Sequence, residues 1–151
     1  MSTNLSTMQI DTTRFGTLDA LDESVVTITG GLLGFPDATS FLRLPVDDAE
    51  GWVWLQATND PELAFLAISA FRFFPDYDIE LPDADAESIG LSDPDTAEIL
   101  ALVTVRDNSV GAIEAITANL LGPIVINTAA AIGRQVVLSD SRYSTREAVV
   151  G

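Results

Sequence analysis

The chain has 151 residues, 23 acidic against seven basic, for a formal net charge of −16, and it contains no cysteine and no histidine. Thiol redox chemistry, cysteine nucleophiles and iron–sulfur or cysteine-based zinc centres are excluded, and the commonest general base and pH switch is missing as well. All seven basic residues are arginines, so neither a Schiff-base lysine nor a P-loop exists.

A chain of this length reads as one domain, able to bury roughly 70% of its unfolded surface without a disulfide or metal. The acidic excess opposes nucleic-acid phosphates. It favours either plain solubility or a basic partner drawn in by long-range attraction. "MSTNLSTMQIDTTRF" lacks a basic start followed by an apolar run, so a cytoplasmic location is expected.

In chain order, residues 1–7 are a loose Ser/Thr/Asn lead and residues 8–148 the domain. "MQIDTTRFGTLDAL" alternates and breaks at Gly16, as two short strands around a turn would. Val25 to Thr29 is β-branched and stops at Gly30-Gly31. "SFLRLPV" and "GWVWLQA" are aromatic and aliphatic strands, with Trp52 and Trp54 on one face, expected in the core. "LAFLAISAFRFF", flanked by Asp60-Pro61 and Pro75-Asp76, reads as a buried strand and a turn. "SDPDTAEIL" carries the chain's helix-start signal: Ser92 as cap, Pro94 in the first turn, Asp93 and Asp95 near the positive end of the dipole. A short helix near residues 92–98 is expected, then the strand "LALVTVRD". Short strands at regular spacing predict an all-β, barrel-like domain of antiparallel strands.

Between Glu114 and Arg134 the chain is uncharged, nearly long enough for a membrane span of about 20 residues. Asn119, Asn127, Thr117 and Thr128, with Gly122-Pro123 in the middle, argue against one. The run reads as a strand, a break at Gly122-Pro123, the strand "IVIN", a turn through Gly133 and the strand "RQVVL". By alternation, Ile124 and Ile126 face one way and Val125 and Asn127 the other.

"TANLLGPIVIN" followed by "GRQVVLSDSRY" resembles the flagellar assembly factor FliW family. "TRFG" (13–16), "GLLGF" (31–35), "WLQATNDPELAF" (54–65), "FFPDYDIEL" (73–81) and "IGLSDPDTAEILALVTV" (89–105) occur in the same order and extend the resemblance over about residues 8–145. Each segment alone is common strand-and-turn vocabulary; the ordered set is specific. The resemblance implies a small non-catalytic, cytoplasmic β protein. It also implies two partners that exchange: newly made flagellin, and CsrA, a basic RNA-binding repressor of flagellin synthesis. Where relatives often carry Phe-Pro-Glu-Gly this chain has "ITGG", with Leu33 in place of a usual proline. The commonly polar turn after Asn127 is "TAAAI", and the proline-rich ending is missing from "SRYSTREAVVG".

The densest acid is Asp76, Asp78, Glu80, Asp83, Asp85, Glu87, Asp93 and Asp95. Within it "DADAES" does not supply the turn glycine and terminal Glu of a calcium loop, and the run is either a solvated loop or a partner face. Asn59, Asp60 and Pro61 either cap a turn or project toward a partner. Phe74, Asp76, Tyr77 and Asp78 pair aromatic packing with exposed charge, an arrangement that can anchor a partner. Asn119 and Asn127 either satisfy backbone groups or contact a partner; in the second case Asn127→Ala leaves the fold standing. No metal, cofactor or catalytic residue is expected. The alternatives are an acidic ligand-binding barrel or carboxylate-dependent hydrolase, for which no Asp/Glu pair has a distinguishing spacing, and an acidic mimic that plugs an RNA site.

Overall fold

A computed structural model describes residues 7–21, 25–105, 116–139 and 142–149. The expected loose lead falls largely on residues 1–6, outside the described residues; Thr7 already belongs to the first strand. The strands are β1 (Thr7–Thr12), β2 (Gly16–Leu21), β3 (Val25–Ile28), β4 (Ser40–Pro45), β5 (Trp52–Ala57) and β6 (Ala64–Ser69). After helices α1 (Ala70–Phe73) and α2 (Asp83–Ser88) come β7 (Ala97–Val105), β8 (Ile116–Ala118), β9 (Ile124–Asn127), β10 (Ile132–Gln135) and β11 (Glu147–Ala148).

Among the described residues, seven strands in the order β7-β6-β5-β4-β3-β10-β9 close on themselves through β7–β9 pairing, from Ala97 opposite Asn127 to Leu100 opposite Ile124. The expected antiparallel barrel is therefore present with one exception: β3 and β10 run parallel. Closure removes the open edges that an isolated sheet would expose.

Alternation decides what fills the barrel. Val26 and Ile28, Phe41, Val53 and Leu55, Leu100, and Ile124 with Ile126 form its interior cluster. Gly133 lies against Ile126 because a Cβ there would stand 2.9 Å from the Ile126 side chain and the Val125 carbonyl. It is already inside β10, so the turn expected through it ends two residues earlier, at Ala131. Near one mouth, Arg43 on β4 and Glu98 on β7 meet as a two-pronged ion pair, Nε–Oε1 3.0 Å and Nη2–Oε2 2.5 Å.

A second cluster lies outside the barrel wall. Ile68, Ile99, Ala101, Ala118 and Val125 are covered by Tyr77, Ile89, Leu120 and Val149, so the segment from Phe74 to Leu91 acts as a strap over the wall. The β1–β2 hairpin covers a third patch, Ile10 and Leu18 against Val25, Leu42 and Leu44.

Trp52 and Trp54 do share a face, but it is the outer one. Val53, Leu55 and Ala57 take the interior, while Trp52 packs edge-on to Phe73 and Trp54 to Phe15 beneath the Arg14 guanidinium. The helix expected at 92–98 shrinks to a 3-10 turn, Pro94–Thr96. Asp93, not Ser92, caps it, accepting the Asp95 N–H at 3.0 Å, and pairing of Ala97 with β9 stops its growth. The longer helix, α2, lies upstream, and the "AFRF" end of the expected long strand turns into α1.

Candidate functional site

Strand β6 separates two groups of candidate residues. Asn59, Asp60 and Pro61 lie exposed in the loop before Ala64, whereas Phe74 follows the short helix after Ser69. Six residues of strand rise roughly 17 Å, so the two groups sit at opposite ends of β6 and do not form one site.

The Asn59–Pro61 loop is held from below. Gln56, fully buried on β5, donates from Nε2 to the carbonyls of Asp60 at 3.2 Å, Pro61 at 3.4 Å and Leu63 at 3.1 Å. Asp60 turns its own carboxylate to the Glu62 N–H at 3.1 Å, and the Thr13 N–H reaches the Pro61 carbonyl at 2.8 Å. The loop is rigid in backbone, and its side chains are left on the surface.

At the other end, the Phe74 N–H closes α1 on the Ala70 carbonyl and the Tyr77 N–H bonds the Phe74 carbonyl, a turn that drives Tyr77 inward. Tyr77 is 5% exposed, and its hydroxyl donates to the Leu120 carbonyl at 2.5 Å. Burial, then the neighbouring Tyr143 phenol, raises its pKa well above the ordinary tyrosine value. The Tyr143 ring lies edge-on at 4.7 Å, and its hydroxyl both accepts the Asp78 N–H and donates to the Asp78 carbonyl. Tyr77 is thus a latch rather than an exposed anchor, while the Asp76 and Asp78 side chains remain exposed.

Asn119 stands next to the latch. Its Oδ1 accepts the N–H groups of Leu121 at 3.0 Å and Gly122 at 2.9 Å, shaping the break before β9. At the far end of β9, Asn127 is 6% exposed. It donates to the carbonyls of Ile89 at 3.0 Å and Gly90 at 3.1 Å and accepts the N–H groups of Ala129 and Ala130. Of the two readings of Asn127, the hydrogen bonds fit the first: all of its capacity ties the strap and the apolar turn to the barrel.

Three residues that sequence reasoning passed over matter to this surface. Gln135 accepts the Leu33 N–H at 2.8 Å and donates to the Gly122 carbonyl at 2.9 Å, joining the "GLLGF" and "LLGP" turns. Tyr143 fastens the strap from outside, and Phe71 stands 47% exposed where a buried strand residue was expected. Only a polar residue inside a strand pattern, as in "GRQVV", hinted at any of them.

Along the strap Asp76, Asp78, Glu80, Asp83 and Glu87 are exposed, as are Asp93 and Asp95 beyond it. Asp85 differs, pairing with Arg134 at 3.1 Å. Among the described residues no group of His, Cys, Asp or Glu is arranged to hold a metal ion, and no helix is long and apolar enough to cross a membrane.

The family model described as "FliW protein" matches residues 9–149. The flagellar assembly factor FliW of Moorella thermoacetica is 39% identical over 139 residues, covering 92% of this chain and 86% of that protein. That of Heliobacterium modesticaldum is 40% identical, covering 92% and 88%, and that of Magnetococcus marinus 37%, covering 95% and 85%. A crystal structure of the flagellar assembly factor FliW superposes with a TM-score of 0.84 at 29% identity, covering 95% of this chain and 98% of that one. These names describe assembly and none describes a reaction. The chain belongs to the FliW family of flagellar assembly factors.

Proposed function

We propose that this protein is a non-enzymatic partner switch in flagellar assembly. It holds flagellin while flagellin accumulates, and once flagellin is exported it captures CsrA, lifting repression of flagellin synthesis. Both bindings take place in the cytoplasm, and neither makes or breaks a covalent bond.

The observation that supports this reading best is the exposed acid of the strap, laid over the barrel wall in a chain of net charge −16. A basic RNA-binding protein is steered toward such a face, and carboxylates held beside its RNA site repel phosphate. The composition fits as well: a chain without histidine, cysteine or lysine is poorly equipped for general-base or covalent catalysis. A rigid barrel whose turns are tied by Gln56, Asn119 and Gln135 suits recognition by preformed loops.

Separate titrations with purified CsrA and purified flagellin test the proposal. Saturable one-site binding to each supports it; binding to neither removes it. An RNA displacement arm, with CsrA bound to a flagellin leader, then reports whether capture releases the message.

A further inference from the structure

The cover over the outer barrel wall has a gap. Between α1, the strap and α2 lies a groove with a volume of about 360 Å³, floored by Ile99 and Val125 and walled by Phe71, Ile79, Leu81 and Leu91. Ile99 and Val125 are buried in the second cluster, whereas Phe71 is 47% exposed. Its size is near the lower end for ligand sites, about 300 Å³, enough for a short apolar anchor.

The surroundings are of one sign. Glu80 and Asp83 bracket Leu81-Pro82, Glu87 follows Ala86 of the groove edge, and Asp93 follows Ser92, which also lines it. All four carboxylates are exposed. Asp85 and Arg134 neutralise each other at 3.1 Å, so the ring around the opening keeps its negative charge. An apolar slot inside an acidic ring discriminates against acidic and purely polar segments. It favours a segment that is apolar in the middle and basic on both sides, because the anchor is desolvated while its charges are attracted.

We infer that this groove is a docking site for a basic amphipathic protein segment, which inserts one apolar side chain against Phe71 and Leu91 and sets arginines or lysines over Asp83, Glu87 and Asp93. The inference rests on the basic-partner half of the function proposed above and supplies the anchor that charge alone lacks. Phe71 forms the exposed wall, its ring tilted against that of Tyr77 at 6.0 Å.

The test uses short synthetic peptides followed by amide NMR of the whole protein: a phenylalanine flanked by arginines, the same peptide with alanine at the centre, and one flanked by glutamates. The first should shift the amides of Phe71 and of residues 79–92 and bind about tenfold or more tighter than the others. Phe71→Ser should weaken it by about tenfold, and so should Ala86→Arg, which fills and repels from a helix with no buried residue. Leu33→Ser, at a residue 63% exposed elsewhere, should leave it unchanged. Equal affinity for the three peptides, shifts confined to another face, no binding by any peptide, or indifference to both groove variants overturns the inference. Titrating CsrA against the same variants separates the two claims. Peptide binding at the groove without CsrA binding removes the proposed partner and leaves the groove. CsrA binding that ignores both variants removes the groove and leaves the partner.

Discussion

The Tyr77 hydroxyl donates a 2.5 Å hydrogen bond to the Leu120 carbonyl, across 43 positions of sequence, and so fastens the acidic strap to the break before β9. Removing that hydroxyl strands a buried carbonyl. Tyr77→Phe should cost about 1–3 kcal/mol of stability, read as a lowered denaturant midpoint with unchanged slope.

The same bond sets a pH dependence. Tyr77 has a folded pKa raised above the ordinary 10.0 by burial and by Tyr143. Its neutral form therefore contributes stability that is fully present below pH 10.0 and lost as pH rises through the folded value. Wild-type stability should fall as the pH rises above 10.0 toward the folded value. Tyr77→Phe should fall less steeply; parallel curves would place the titration elsewhere.

Asn127→Ala should destabilise by about 1–3 kcal/mol, because two strap carbonyls and two turn N–H groups lose their partner together. Ile126→Ala, one residue earlier but inside the barrel and 2% exposed, should cost about 2–5 kcal/mol through the cavity it leaves. Melts of the two variants separate a lost tie from a lost core contact: hydrogen exchange should quicken around Ile89–Leu91 in the first and across the barrel in the second.

How much of this was legible beforehand depended on where each residue's partner lies. The strands around "SFLRLPV" and "GWVWLQA" are written in local alternation and local turn residues, and they appear where expected. Helix α2 was invisible because "DADAES" buries nothing, so it has no apolar period to detect. The signal at Ser92 was overruled by pairing of Ala97 with Asn127, 30 residues on. Which face of the tryptophan strand looks inward cannot be read from period two, since both faces are covered in a barrel with outer layers. The roles of Asn127 and Tyr77 were hidden for a related reason: their partners, Ile89 and Leu120, are 38 and 43 positions away. What stayed legible of the candidate site was its charge, and of its nine named residues the exposed ones, Asn59, Asp60, Pro61, Asp76 and Asp78.

The exposed acid should act on the rate of encounter. Replacing Asp83, Glu87 and Asp93 by Asn, Gln and Asn, and leaving Asp85 with Arg134, should slow association with a basic partner at low salt. The difference from wild type should shrink at higher salt, where screening acts beyond about 8 Å at physiological ionic strength. Stopped-flow association at several salt concentrations reads this directly; an unchanged rate assigns the run to solvation alone.

Exchange between the two partners is read by competition. The protein is saturated with labelled CsrA, flagellin is added in steps, and free CsrA is measured together with its occupancy of a flagellin-leader RNA. Flagellin should release CsrA in proportion to the flagellin bound, and the released CsrA should reoccupy the RNA. A stable ternary complex in which CsrA stays bound and off the RNA at saturating flagellin would contradict that exchange.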